Sequence, residues 1–315
     1  AAAMLFVYAG IKEVYAPVMS RTAIEVFDRY NVRYTYDTVC PQIVNRAGTG
    51  PCPMELAVEN AATPGEALCA IREKRESLQR KRLGFGLMRL PLTDANDAQS
   101  IDMPQVEKMI DLFLERGFTY FDTAYMYHQF KSEIIAREAL VRRYPRDAFT
   151  LTSKLPVSFL KNKADMERIF SEQLEKCGVD FFDYYLLHDL GASHYEIAKR
   201  FDSFAFVQEL KEKGNVKKTG FSFHDNAKVL DEILTAHPEV DVVQLQINYL
   251  DWENESIQSR KCYETARKHG KNIIIMEPVK GGTLANVPPA AEKLLRNYSP
   301  ERSVASWAIR FAASL

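Results

Sequence analysis

Four residue types that together move protons recur at the ends of short apolar runs. Asp122 and Tyr127 lie in Phe121-Asp122-Thr123-Ala124-Tyr125-Met126-Tyr127, Lys154 closes Leu151-Thr152-Ser153-Lys154, and His188 closes Tyr185-Leu186-Leu187-His188. A free tyrosine titrates near pH 10, high for proton donation at neutrality. A lysine ammonium close by favours the phenolate and would lower that value. Lys154 does this if Asp122 keeps it charged and in place, and His188 can then hydrogen-bond and orient a carbonyl oxygen. Taken singly, a tyrosine or a histidine is more often packing than chemistry. The weight rests on number: Ser222, Gln246 with Asn248, and Glu277 also end apolar runs, so six successive runs finish in a polar group.

Those runs are the elements that must position the chemistry. Seven read as strands, near Arg82–Met88, Thr119–Ala124, Phe149–Leu155, Phe182–His188, Lys217–Phe223, Val240–Asn248 and Asn272–Pro278. Close-spaced apolar residues are what a parallel sheet buried on both faces requires. Amphipathic helices lie between, as in Val106, Met109, Ile110, Phe113 and Leu114 on one helical face. Four of them end in a basic residue and a glycine, at Arg116-Gly117, Lys176-Cys177-Gly178, Lys213-Gly214 and His269-Gly270. Glycine takes the left-handed terminating conformation cheaply, and a cation suits the helix C-terminus. This alternation predicts a parallel α/β protein, and about eight such units in about 250 residues make a (β/α)8 TIM barrel whose strand ends converge on one face. The eighth strand is expected just after Leu315, so the chain is read as cut at its end, leaving two unpaired sheet edges.

Composition removes other classes. A net charge of −1 gives no reason to expect nucleic acid or an anionic membrane as partner. The basic run Arg72–Arg82 is interrupted by Glu73 and Glu76 and reads as a charged, solvated connector. Five widely spaced cysteines, Cys40, Cys52, Cys69, Cys177 and Cys262, include no C-x-x-C pair, which fits a reducing cytoplasm and argues against a disulfide framework or metal site. No apolar stretch reaches the roughly 18 residues of a membrane span. The opening AAAMLFVYAGI has no basic flank and reads as core, the middle of a helix in a chain cut at its start too. Gly84-Phe85-Gly86 is only a partial dinucleotide fingerprint because position 89 is Arg. No H-x-H or H-E-x-x-H pattern supports a metal hydrolase, and no G-x-S-x-G supports a serine hydrolase.

Over residues 81–315 the chain resembles the aldo-keto reductase family. The resemblance is carried by Phe121-Asp122-Thr123-Ala124 with Tyr127, Leu151-Thr152-Ser153-Lys154 and Tyr185-Leu186-Leu187-His188. It extends to Leu83-Gly84-Phe85-Gly86-Leu87-Met88-Arg89-Leu90-Pro91, Gly220-Phe221-Ser222, Gln246-Ile247-Asn248 and Met276-Glu277-Pro278-Val279-Lys280-Gly281-Gly282. The resemblance implies reduction of a small carbonyl compound by NADP(H), which lies extended across the C-terminal face without a Rossmann domain and without metal. It makes Tyr127 the general acid, assisted by Lys154 and Asp122, with His188 orienting the carbonyl. It places Gly86, Met88, Asp122, Ser222, Gln246, Asn248, Met276, Pro278, Val279, Lys280 and Gly282 around the cofactor. Of these, Ser222, Gln246 and Asn248 hold or adjoin the nicotinamide carboxamide, and Met276 lies against its ring, where many relatives carry an aromatic. Gly281 and Gly282 let the backbone approach the pyrophosphate.

Phe223-His224 stands where an Asn is more usual after Ser222. The wording around Ser222 and Glu277 is similar to a branch that often carries a ferredoxin-like module, whose cysteines are absent here. The residues that bind adenosine and its 2′-phosphate in relatives belong to the eighth strand. Tyr125, Phe130, Tyr249 and Trp252 are equally candidates for an apolar substrate pocket and for packing.

The chain is expected to divide at residues 1–76 and 77–315. The first part resembles a small uncharacterised domain family with a cytidine-deaminase-like fold, through Tyr8-Ala9-Gly10-Ile11-Lys12-Glu13-Val14-Tyr15-Ala16, Tyr36-Asp37-Thr38-Val39 and Asn45-Arg46-Ala47-Gly48-Thr49-Gly50-Pro51-Cys52-Pro53-Met54-Glu55. Strands are expected at Glu13–Ala16 and Val32–Tyr36, with a helix from Ser20 to Tyr30 capped by Ser20 or Thr22. A zinc deaminase needs H-x-E and P-C-x-x-C. No second cysteine follows Cys52 at that spacing and no histidine precedes His128, so neither zinc nor deamination is expected, and Cys52 reads as a buried thiol. The leading reading is an NADPH-dependent carbonyl reductase with a non-enzymatic N-terminal appendage; the other is a nucleotide-binding, redox-sensing subunit with little turnover. Oligomeric state is not legible.

Overall fold

The computed structural model describes residues 1–44, 51–79 and 82–315. Residues 45–50, which carry half of the most distinctive N-terminal wording, lie outside the described residues. The chain falls into two compact units, Ala1–Lys81 and Arg82–Leu315.

The first unit runs α1 (Ala2–Tyr8), β1 (Glu13–Ser20), α2 (Arg21–Arg29), β2 (Arg33–Cys40), α3 (Pro53–Ala57) and α4 (Pro64–Gln79). The expected strands and helix are present. β1 and β2 pair in parallel from Glu13↔Arg33 to Ser20↔Cys40. Ser20 is the cap of α2, its hydroxyl accepting the Ala23 N–H at 3.2 Å. The opening residues are core, since Ala3 and Met4 are buried on α1. Two expectations change. The charged run from Arg72 onward is helical as far as Gln79, because Glu, Lys, Arg, Leu and Gln sustain the helix begun at Pro64; residues 76 and 77 therefore lie inside α4. Cys52 is only half-buried, at the start of the short helix that Pro53 initiates.

The second unit runs β3 (Gly84–Gly86), α5 (Met103–Glu115), β4 (Tyr120–Asp122), α6 (Ser132–Ala136) with a π-helical turn at Arg137–Val141, β5 (Thr150–Leu155), α7 (Ala164–Cys177), β6 (Phe182–Leu190), α8 (Ala192–Phe201), α9 (Ser203–Glu212), β7 (Val216–Phe223), α10 (Ala227–Ala236), β8 (Val242–Gln246), α11 (Ser259–Lys268), β9 (Asn272–Met276), α12 (Pro289–Tyr298) and α13 (Val304–Ala313). The seven strands pair in parallel in sequence order, from β3 at one edge to β9 at the other. Gly117, Gly178, Gly214 and Gly270 all have positive φ, the conformation expected where the preceding helices stop. On α5 the buried residues are Val106, Ile110 and Phe113, while Met109 is 40% exposed because it flanks the stripe instead of lying on it.

The sheet is curled. In a flat sheet β4 and β8, four strands apart, would be separated by about 19 Å. Yet the Gln244 amide of β8 donates to Asp122 of β4 at 3.0 Å. Beyond the two edge strands, Arg89 meets Glu277 at 2.7 Å. The outer face packs Phe121, Leu151, Leu187, Phe221, Val243 and Leu245 under the helices as one apolar core. The inner face carries Asp122, Lys154, His188 and Gln244. No helix among the described residues is long and apolar enough to cross a membrane.

Candidate active site

Strand alternation aims the central groups inward. Ser153 and Leu151 of β5 face the helices, so Lys154 faces the barrel axis, where it is wholly buried. Its ammonium has three partners: Asp122 Oδ1 at 2.5 Å, the Thr123 carbonyl at 2.8 Å and the Tyr127 hydroxyl at 3.2 Å. The Tyr127 ring also lies under the ammonium, 4.8 Å from its centre. His188 meets that ring edge-on, with centroids 5.7 Å apart. Asp122, Tyr127, Lys154 and His188 therefore form one cluster.

His188 stands at the start of a β-bulge. The β6–β7 register shifts between Leu187 and Leu190, so one extra residue sits in β6. Asp189 takes the strain with φ +59°. Its N–H donates to Ser222 Oγ at 2.8 Å, and its carbonyl accepts from His194 Nδ1 at 2.6 Å. Ser222 is thus occupied in bracing the bulge.

The electrostatics fix the protonation states. Burial opposes the charge of Lys154, but Asp122 and Tyr127 outweigh it and raise the ammonium above its ordinary value. Burial raises the Tyr127 phenol by more than Lys154 lowers it, so its titration lies above the ordinary 10. This corrects the expectation of a lowered phenol: lysine is correctly placed, but desolvation wins. Burial, with Lys154, His224 and His194, pushes His188 down to about 3, so the imidazole is neutral. Its Nδ1 is buried with no partner.

The cofactor candidates divide. Ser222 lies beside the cluster. Gln246 and Asn248 are turned away from it: Gln246 donates to Asp251 at 3.0 Å, and Asn248 donates to Asp251 at 2.8 Å and to the Glu277 carbonyl at 3.2 Å. The Asn248 oxygen accepts the N–H groups of Leu250 and Asp251. Lys280 closes an ion pair on the same Asp251, which is 1% exposed. Although burial favours its neutral form, Lys280, Asn248 and Gln246 hold the Asp251 carboxyl below its usual range. These three side chains brace the segments after β8 and β9. The missed residue is Gln244, 4% exposed, whose amide donates to Asp122 while its oxygen has no partner. Its signal was parity, since Gln244 and Gln246 share a strand face.

Met276, Pro278 and Val279 are partly buried at the end of β9, and Gly282 is exposed just beyond. The backbone at Lys280, Gly281 and Gly282 is left-handed throughout, with φ +51°, +62° and +99°. Gly86 and Met88 are exposed at the end of β3. Of the pocket candidates, Tyr249 and Trp252 pack edge-on against Phe311 at 6.3 and 5.4 Å. Tyr125 and Phe130 meet at 5.4 Å, and Tyr125 also lines a cavity of about 480 Å³ with Phe159, Lys161 and Arg168.

Comparison with known proteins agrees with this geometry. Residues 82–314 match the aldo/keto reductase family, and the chain belongs to it. Residues 1–75 match a family described as a domain of unknown function, DUF1893. Similar solved structures include the holo form of an aldo-keto reductase from Bacillus halodurans, with 21% identity, a TM-score of 0.54 and 74% of this chain against 78% of that one. An aldo-keto reductase from Klebsiella pneumoniae in complex with NADPH shares 19% identity, a TM-score of 0.54 and 72% against 74%. An aldo/keto reductase from Brucella melitensis shares 21% identity, a TM-score of 0.54 and 74% against 80%. At these identities the likeness is one of fold, and it makes the curled sheet seven strands of an aldo-keto reductase-type barrel. No curated protein matches the chain in sequence.

Proposed function

We propose that the protein reduces an aldehyde or ketone to an alcohol with NADPH, Tyr127 acting as general acid. The observation that carries this reading is the contact of one buried ammonium with both Asp122 and the Tyr127 hydroxyl. NADP(H) supplies the hydride that the carbonyl carbon accepts. Tyr127, held as a neutral phenol, gives its proton to the carbonyl oxygen, and Lys154 stabilises the phenolate left behind. Asp122 keeps Lys154 charged and oriented. Neutral His188 hydrogen-bonds the same oxygen and turns the carbonyl toward Tyr127.

The residues present fit the cofactor with one change from the sequence reading. The unpartnered oxygen of Gln244 and the hydroxyl of Ser222 suit a nicotinamide carboxamide, which both donates and accepts. Met276 at the end of β9 and Gly86 and Met88 at the end of β3 would help to hold the cofactor. The left-handed stretch at Lys280–Gly282, with Pro278 and Val279 before it, suits close approach of a pyrophosphate to backbone N–H groups. NADP over NAD is supported by the NADPH complex of the Klebsiella pneumoniae structure.

For the N-terminal unit we propose a cytidine-deaminase-like fold without zinc chemistry, supported by its parallel β1–α2–β2 arrangement, with the division between two domains near residues 76–77. A reducing cytoplasm is proposed on the five free cysteines. The test is oxidation of NADPH, followed by absorbance with an activated aromatic aldehyde, in wild type and Tyr127→Phe. Aldehyde-dependent oxidation that the variant loses supports the reductase. Nucleotide binding with no turnover in either supports the redox-sensing subunit instead.

A further inference from the structure

Behind β5, on the side away from the barrel axis, lies a second polar cluster that the proposed chemistry does not use. Glu133, in the first turn of α6, is fully buried. Its Oε1 accepts from Ser153 Oγ at 2.7 Å and from Gln173 Nε2 at 2.6 Å, while Oε2 is buried without a partner. The same Gln173 nitrogen lies 3.1 Å from the carbonyl oxygen of Lys154 and 2.9 Å from Ser153 Oγ. The Gln173 oxygen accepts from the Tyr185 hydroxyl at 2.6 Å. Gln173, Ser153, Lys154 and Tyr185 are all 0% exposed. Next to Glu133, Ser132 Oγ donates to the Leu87 carbonyl at 3.0 Å and lies 2.7 Å from Thr123 Oγ1. One turn of helix is thereby tied to the segments that carry Met88, Asp122 and Lys154.

An apolar core would fill this space without unsatisfied polar atoms, and an amide alone would satisfy the strand. A carboxyl with one idle oxygen is an expensive substitute, since burying it unpaired costs more than burying a neutral group. We propose that Glu133 is a positioning residue for Lys154: acting through Gln173, it fixes the peptide that aims the ammonium at Tyr127. This rests on the reductase reading of the same site. The neutral acid suits the pocket. Ionisation puts a charge behind β5 that hydrogen bonds from Ser153 and Gln173 meet on Oε1 alone, and the network must then shift to solvate it. Burial does push the carboxyl up to about 7, against the hydrogen bonds from Ser153 and Gln173. The other titratable or charged groups around it are Lys176, Glu172 and Cys177 of α7 and Tyr185 of β6. Displacing a positioned group by about 1 Å can cost on the order of 100-fold in rate, so a small shift of this peptide is enough.

The test compares wild type, Glu133→Gln and Gln173→Leu in NADPH-dependent aldehyde reduction at pH 6 and pH 8, together with NADPH affinity by fluorescence titration. The expected result is a wild-type kcat about tenfold lower at pH 8, the absence of that step in Glu133→Gln, and in Gln173→Leu a kcat at least about tenfold lower at both pH values with unchanged NADPH affinity. Equal kcat for all three proteins at both pH values would overturn the proposal, because a merely structural network changes the unfolding midpoint and not turnover per folded molecule. If wild type itself reduces nothing, the reductase reading fails separately. The Nζ resonance of Lys154 in nitrogen-15-lysine protein, assigned by Lys154→Met, then decides: displacement in Gln173→Leu supports positioning, and an unmoved resonance overturns it.

Discussion

Removing the charge of Asp122 while leaving Lys154 in place tests the core of the site. The pair lies at 2.5 Å with the lysine side chain 1% and the aspartate 14% exposed. At an effective dielectric of about 20 the attraction at that distance is ~6–7 kcal/mol, most of which offsets the desolvation of the two charges. Breaking a buried pair from one side typically costs about 3–5 kcal/mol, because the remaining charge stays buried. In Asp122→Asn the ammonium keeps the Thr123 carbonyl and the Tyr127 hydroxyl, which places the expected loss near 3 kcal/mol, a large share of the roughly 5–15 kcal/mol typical of a folded domain. Lys154→Met costs less, since Asp122 keeps the Gln244 amide and some solvent. The double variant Asp122→Asn/Lys154→Met should recover most of the loss, because no buried charge remains. Both tryptophans, Trp252 and Trp307, lie in the barrel unit, so urea unfolding followed by their fluorescence reads this unit alone. An Asp122→Asn midpoint equal to wild type, or a double variant no better than the single, would refute the claim that this pair holds a desolvated cation.

Three more outcomes follow from the geometry. His188 has a folded pKa near 3 against about 6.5 unfolded, so the folded state binds fewer protons between those values; stability is full above pH 6.5 and falls as pH drops toward 3. At pH 4.5 this amounts to about 2–3 kcal/mol, and His188→Gln should lose correspondingly less stability than wild type between pH 7 and 4.5 in paired urea titrations. Gln244→Leu should weaken NADPH binding about five- to tenfold while Gln246→Leu changes it less than about twofold, as read by fluorescence titration, and the reverse order would restore the sequence assignment. A Cβ on Gly220 would sit 1.9 Å from the Val242 carbonyl oxygen, a backbone atom that cannot swing aside, so Gly220→Ala should cost about 3 kcal/mol; an unchanged midpoint would mean that β7 and β8 are not in this register.

The sequence disclosed most of what local pattern controls. All seven barrel strands and the glycine stops were legible because apolar runs and helix termination are properties of a few neighbouring residues. Three of the four clustered residues were legible because each lies at or near the end of its own strand, and Tyr127 because it follows Asp122 by five residues. What escaped depends on atoms distant in sequence. Gln244 and Gln246 have the same parity, and only the Asp251 side chain, five residues beyond Gln246, draws one of them away from the cluster. The upward displacement of Tyr127 depends on how completely the barrel wall dries the phenol, which spacing does not state. The network of Glu133, Ser153, Gln173 and Tyr185 draws on four elements, and each member alone looks like an ordinary polar residue.

The extra residue in β6 has a consequence of its own. A regular strand sends residues of equal parity to one side, so His188 and Leu190 should face the same way. Leu190 nevertheless joins the apolar core beneath the helices. The bulge is what allows a histidine to look inward and a leucine two places later to look outward. Deleting Asp189 would restore regular alternation, with Leu187 outward, His188 inward and Leu190 outward as before, and would remove the tie from the Asp189 N–H to Ser222 Oγ. The length of the chain between Leu187 and Leu190 therefore governs how Ser222 is held and not which way the end of the strand faces.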